Sequence, residues 1–450
     1  MTRPSVRNNT ARNNYRMLAA AAAIASLLLS GGCGGRAASG TETAAPSASA
    51  ASSAPSAATA SARQPSLPPP AATPAPTVSG GSSAGEGIAQ QIAGMTLEDK
   101  IGQMLLVGID GTEVNGQTQK MIENDKVGGI ILYADNITSL KGMVSLTNGL
   151  KRSNAGNAAP LFISVDQEGG KVSRMPDEYA VIPSNGAVGA SGSAGAAEMM
   201  GKLLAREVQA AGFNMNFAPV LDINSNPDNP VIGDRSFGST SAKVTRLGIA
   251  EMKGIAGEGV VPVVKHFPGH GDTSVDSHLE LPVVDKTAAQ LARLEWLPFQ
   301  AAIQEQADAV MVAHILYPKL DPDRPASLSK VIIGQQLRSG MGFTGVVITD
   351  DLTMGAITKN YSLGSAAVDT VLAGSDILLV AHEYSNEQAA RNALLAAVKS
   401  GKLSEARIDE SVTRILSLKA KYQLTDSPVA VPDLTQLNKD IKAWRSAVAQ

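Results

Sequence analysis

The sequence holds one cysteine in 450 residues, five histidines, and only 4% aromatic side chains. A single cysteine excludes an internal disulfide framework, so the fold must be held by its hydrophobic core. Blocks of lysine and arginine are also missing, and 38 basic side chains face 41 acidic ones. A mildly acidic chain of this kind is not built to grip nucleic acid through its phosphates. Nor is there an apolar run long enough to span a bilayer comfortably. The stretch from Met17 to Ser30 falls short of the roughly 20 residues needed. Preceded by Arg3, Arg7, Arg12 and Arg16, it reads as a secretory signal over residues 1–32, removed on export.

The lone Cys33 follows Leu29-Ser30-Gly31-Gly32. This segment resembles a bacterial lipoprotein cleavage site, with Leu29 standing one residue further from the cysteine than usual. Cys33 is therefore expected to carry a lipid, and ordinary signal cleavage leaving a free thiol is the alternative. Residues 33–85 are nearly all Ala, Ser, Pro, Thr and Gly, too poor in apolar surface to offset the entropy of ordering, and are expected to act as a disordered spacer. Residues 86–450 are then expected to form one folded domain, attached to the membrane through the anchor only and exported or facing outward.

Within 86–450, apolar runs alternate with amphipathic ones. Strand-like runs fall at 102–109, 129–134, 161–166, 214–222, 260–267, 309–316, 345–351 and 376–382. Runs buried on both faces, joined by connections too long for hairpins, predict a parallel sheet closed as an α/β (β/α)8 TIM-type barrel, with an open doubly wound sheet as the other solution. Polar residues favour closure, because they end nearly every run: Asp110, Asp135, Asp166, Asp222, Lys265 with His266, His314, Asp350 with Asp351, and His382. On a barrel those ends converge on one rim. The stretch from Ser404 to Gln423 adds an amphipathic helix expected on the outside.

Three of the five histidines lie in VVPVVKHFPGHGDTSVDSH, residues 260–278, where a strand breaks at Phe267-Pro268-Gly269 into a polar loop. Lys265 and His266 should point to opposite faces unless a bend intervenes, and Phe267-Pro268-Gly269 supplies that bend. Histidine gives and takes protons near neutrality, and Asp276 stands two residues before His278, so the pair reads as an acid/base dyad. His266, His270, Asp272 and His278 also admit a zinc site, although the spacing matches no zinc pattern, and His270 also reads as a structural histidine. Asp166 with Arg174 suits a polyol clamp or a capped turn, and Arg235 suits a second clamp or a loop tie. Of Asp350 and Asp351, one can face the barrel centre as nucleophile or base while the other caps the following helix.

KHFPGHGDTSVDSH, with DQEGGKVSR before it and ITDDLTMGAI after it, resembles the β-N-acetylhexosaminidases of glycoside hydrolase family 3, which release N-acetylglucosamine from peptidoglycan fragments. The resemblance covers residues 90 to 420. It implies a (β/α)8 barrel and a retaining mechanism, with Asp350 as nucleophile, His278 as acid/base and Asp276 as its partner. It further implies sugar contacts from Asp166, Arg174, Arg235, Lys265 and His266, no cofactor, no metal, and N-acetylglucosamine-containing glycan fragments as substrates of a monomeric enzyme. Members without the Asp-Ser-His loop act on other sugars with a glutamate from a second domain, so the loop points away from β-glucosidase activity. Alternatives are a phosphorylase, since a neutral histidine repels phosphate less than a carboxylate would, a hydrolase of chitin-derived oligosaccharides, and a non-catalytic sugar-binding lipoprotein.

Overall fold

The computed structural model describes residues 81–449; the expected signal segment, Cys33 and most of the spacer lie outside the described residues. A helix, Gly81–Ala93, already occupies the last residues assigned to the spacer.

Each of the eight expected runs contains a strand. They are β1 (Leu105–Gly108), β2 (Gly129–Leu132), β3 (Phe162–Val165), β4 (Met215–Asn216), β5 (Val261–Phe267), β6 (Ala309–Val312), β7 (Val346–Thr349) and β8 (Leu378–Val380). All are paired in parallel in the order β8-β1-β2-β3-β4-β5-β6-β7. The bridge between Ile348 and Ile377, with the Thr349 N–H donating to the Ile377 carbonyl at 3.0 Å, joins the two ends of the sheet and closes the barrel. Every residue of β5 is buried, as expected where one face fills the barrel and the other meets helices.

The strands are shorter than the apolar runs. The run at 214–222 keeps only two ladder residues, because Pro219 has no N–H to donate. Beyond it Val220 bridges Lys265, which carries the chain up to Asp222 at the rim. The amphipathic run after β5 divides into Ala288–Leu291 and Leu297–Gln304, with Pro298 opening the second helix, where its missing N–H costs nothing.

The helix Glu405–Lys421 packs against the rest of the fold along its length, with Ile408, Val412, Ile415 and Leu416 buried. Its Lys419 amine donates to Gln103 Oε1 and to the Gly128 carbonyl, both at 2.8 Å, and lies 4.8 Å from the centre of the Phe162 ring. Burial pushes this amine down to about 7. Two elements were not anticipated. An antiparallel pair, Leu316–Tyr317 with Asp321–Pro325, follows β6, and the helix Thr435–Val448 covers helix Ala194–Ala210, its Trp444 indole N–H donating to the Ala196 carbonyl at 3.1 Å.

Candidate active site

The loops that follow the strands enclose a pocket of about 170 Å³ lined by Asp166, Glu168, Arg174, Arg235, Lys265, His266, His278 and Asp350 among others. Seven of the eight residues expected at the site therefore meet in one place; Asp276 stays behind the wall. Asp110 and Asp135 remain in solvent away from it. A larger cleft of about 450 Å³ opens before β5 and β6, but its charges are already paired, Lys253 with Glu305 at 2.8 Å and Lys421 with Asp308 at 2.5 Å.

The floor of the rim pocket is a buried ionic hub. Lys265 Nζ lies 2.5 Å from Asp166 Oδ1 and 2.7 Å from Glu168 Oε1. Arg235 grips the same Glu168 with two parallel bonds, Nη2 to Oε1 at 2.8 Å and Nε to Oε2 at 2.9 Å. Burial opposes the Glu168 carboxylate, yet Lys265 and Arg235 outweigh it and hold the group well below its usual range. Burial likewise opposes the Lys265 ammonium, and Asp166 and Glu168 keep it above its ordinary value. Asp166 and Glu168 are thus both partners of one lysine, on alternate positions beyond β3. Sequence reasoning assigned no role to Glu168, although its two-residue offset from Asp166 put both on one face.

Neutralising Glu168 would leave Lys265 and Arg235 buried without their shared counter-charge. Glu168→Gln is expected to lower stability by about 3 kcal/mol, read as a lower urea midpoint. Because the folded state holds this carboxyl below its unfolded value, its contribution is complete above the ordinary glutamate range. It fades as the pH falls below about 4. A variant with the wild-type midpoint would contradict the hub.

His266 shares the pocket side of β5 with Lys265, as the expected bend requires, and the irregularity begins earlier, where the β5–β6 register shifts between Val264 and Phe267. Its Nδ1 lies 2.6 Å from Asp222 Oδ2, and the Arg235 Nη2 lies 3.4 Å from its Nε2. The Nδ1–H therefore donates to the carboxylate, which leaves Nε2 as the acceptor facing Arg235. Burial works against the Asp222 carboxylate, but the nearby His266 and His270 hold it below its usual range. The His270 N–H also donates to Asp222 Oδ1 at 2.6 Å. Both ring nitrogens of His270 face hydroxyls, Thr273 Oγ at 2.9 Å and Ser277 Oγ at 3.1 Å, and burial pushes the ring down to about 4, so it is a neutral tie within the loop.

That loop is fixed to the one after β7. The Gly355 N–H donates to the His278 carbonyl at 3.1 Å and the Ala356 N–H to the Ser277 carbonyl at 3.2 Å. A side chain at Gly355 would place its Cβ 2.5 Å from the Leu279 carbonyl, so glycine is required there. Gly271 likewise lets the loop lie against the Ile223 carbonyl, which a Cβ would meet at 1.7 Å. The His278 side chain is exposed at the pocket mouth. The expected contact between Asp276 and the His278 ring is not formed. Asp276 Oδ1 instead accepts the His278 backbone N–H at 2.9 Å, as a carboxylate two residues upstream in a turn reaches the amide more readily than the ring.

Asp350 and Asp351 divide as their alternation requires. Asp351 accepts from the Thr353 N–H at 3.0 Å, the Thr353 hydroxyl at 2.5 Å and the Ala381 N–H at 2.9 Å, so it fastens a turn to the end of β8 rather than capping a helix. Asp350 accepts only the Asp351 N–H, at 2.9 Å, among the described residues, leaving its second oxygen to the pocket. Burial raises the Asp350 carboxyl, but His314, His266, the Asp351 amide and His278 together bring it below its ordinary value. His314, for which only its place at a strand end was a signal, supports this turn. Its Nε2 donates to the Asp351 carbonyl at 2.9 Å while its Nδ1 accepts from the Ser327 hydroxyl at 2.7 Å. The result is an ionised carboxylate on one side of a sugar-sized pocket, an exposed imidazole at its mouth, and a charged floor able to hold hydroxyl groups.

The chain is similar to known proteins. The sequence profile described as the glycosyl hydrolase family 3 N terminal domain matches residues 96–418. The β-hexosaminidase A of Pseudoalteromonas piscicida is 35% identical over 362 residues, 75% of this chain and 60% of that protein. A β-hexosaminidase of Idiomarina loihiensis is 36% identical over 283 residues, 62% of this chain and 84% of that protein. The chain thus spans less than two thirds of the first relative's length. A solved glycoside hydrolase family 3 β-N-acetylglucosaminidase from Paenibacillus sp. superposes with a TM-score of 0.73 at 44% identity, covering 78% of this chain and 68% of that one.

Proposed function

The chain belongs to glycosyl hydrolase family 3, among its β-N-acetylhexosaminidases, and from that premise we propose that it is a retaining, exo-acting β-N-acetylglucosaminidase that releases N-acetylglucosamine from peptidoglycan fragments. The observation that carries this reading is the hydrogen-bonded seam between the loops after β5 and β7, which brings the mouth of the His278 loop over the Asp350 carboxylate. Retaining hydrolysis requires a nucleophile and a proton donor on opposite sides of the scissile bond. In the first step the Asp350 carboxylate attacks the anomeric carbon while protonated His278 gives its proton to the departing glycosidic oxygen, and a glycosyl-enzyme ester forms. In the second, neutral His278 takes a proton from water, the water oxygen attacks the same carbon, and Asp350 leaves as a carboxylate. Asp166, Lys265, Arg235, Arg174 and His266 hold the hydroxyls of the non-reducing sugar.

The test compares a chromogenic β-N-acetylglucosaminide with the corresponding β-glucoside, and a muropeptide fragment with a chitin-derived disaccharide, in buffer with and without phosphate. The reading expects cleavage of the N-acetylglucosaminide over the glucoside, free N-acetylglucosamine as product, and preference for the muropeptide. Equal cleavage of the glucoside would overturn the sugar assignment, and N-acetylglucosamine 1-phosphate as the main product would overturn hydrolysis.

A further inference from the structure

Two aromatic rings on the rim take no part in the steps above. Tyr133 follows β2 and His382 follows β8, the strands on either side of β1, so the two meet across the end of β1. Their rings stack with centroids 5.5 Å apart and planes inclined by 27°. The His382 side chain is 67% exposed, which leaves the outer face of its ring open, and its Nε2 lies 3.9 Å from Asp351 Oδ2. The Tyr133 hydroxyl makes no hydrogen bond to the described residues. Burial, together with Asp351, Asp166 and Asp350, raises this phenol well above its usual range, so it keeps its proton and remains a donor.

The ionic hub stands further round the rim, on the loops of β3, β4 and β5. Groups that tightly paired and buried suit the sugar whose anomeric carbon Asp350 attacks. The leaving group needs different chemistry, because it must depart in every cycle. A flat, open ring face that packs the C–H face of a pyranose, with one uncharged hydroxyl donor beside it, gives modest and reversible affinity.

We propose that Tyr133 and His382 form the subsite for the leaving-group sugar, with its pyranose ring on the outer face of His382 and one of its oxygens accepting from the Tyr133 hydroxyl. This rests on the N-acetylglucosaminidase reading of the site. Because His382 is exposed, its replacement does not disturb the core.

The experiment measures kcat/KM for a β-linked N-acetylglucosaminyl disaccharide and for N-acetylglucosaminyl fluoride, whose leaving group has no ring to pack, in wild type, His382→Ala, His382→Phe and Tyr133→Phe. In His382→Ala the disaccharide value should fall about tenfold more than the fluoride value. His382→Phe, which keeps a ring but no titratable nitrogen, should recover most of that difference, and Tyr133→Phe should lose a few-fold on the disaccharide alone. Equal losses on both substrates, no loss on the disaccharide, or a failure of His382→Phe to recover would each overturn the subsite. A wild-type protein inert to both substrates would overturn the glycosidase reading, and this subsite with it.

Discussion

Asp350→Asn should reduce kcat by roughly 10⁴-fold while leaving the melting temperature unchanged or slightly raised. The carboxylate keeps one oxygen free of protein donors among the described residues and has no lysine or arginine beside it, whereas Asp166 and Glu168 are bound to Lys265 and both oxygens of Asp351 are taken by Thr353 and Ala381. It is ionised without an ion-pair partner of its own. Burial works against its charge, and only the surrounding histidines and one amide draw the group below its ordinary value. Such a charge is retained at the expense of stability, so removing it should not harm the fold. Asparagine keeps the Oδ1 that accepts the Asp351 N–H, and the turn that Asp351 and His314 hold is untouched. A variant within tenfold of wild type would remove Asp350 from the nucleophile's role. A large loss accompanied by a lower melting temperature would mean that the site had collapsed.

His278→Ala should cost 10²- to 10⁴-fold on a disaccharide and much less in the first step on an activated aryl glycoside, whose leaving group departs without a proton. The side chain is exposed and the loop is held by its backbone, through the Gly355 and Ala356 amides and the Asp276 cap, so the substitution leaves the loop in place. The dependence on leaving group separates proton donation from a positioning role, which would lower both substrates alike.

The barrel was legible because its strands are buried on both faces and end in polar residues. The closing contact, between Ile348 and Ile377, follows from that pattern. Strand lengths were not, since Pro219 removes a ladder donor within an otherwise continuous apolar run. At the site, single residues were easier to read than their partners. Lys265 and His266 were expected to share a side only through a bend at Phe267-Pro268-Gly269, and the register shift just before that bend puts both at the pocket. Asp276 was paired with an imidazole because it stands close in sequence, but a turn of that length brings it to an amide. Glu168 was passed over beside the more prominent Asp166, although it binds both Lys265 and Arg235 and period-two spacing would have found it. The C-terminal helix carried a signal of its own, with Leu437, Ile441, Trp444 and Val448 recurring at helical intervals, and its apolar stripe is what lies on helix Ala194–Ala210.

The central claim, that Asp350 becomes bonded to the sugar while His278 serves both proton transfers, is tested most directly in the His278→Ala variant. An activated aryl N-acetylglucosaminide should glycosylate this variant quickly, and the absent base should delay hydrolysis, so the intermediate accumulates. Rapid quenching, proteolysis and mass spectrometry then locate the sugar. The account predicts one N-acetylglucosaminyl residue on the peptide containing Asp350. The same mass on a different carboxylate, or steady turnover with no labelled peptide, would contradict it.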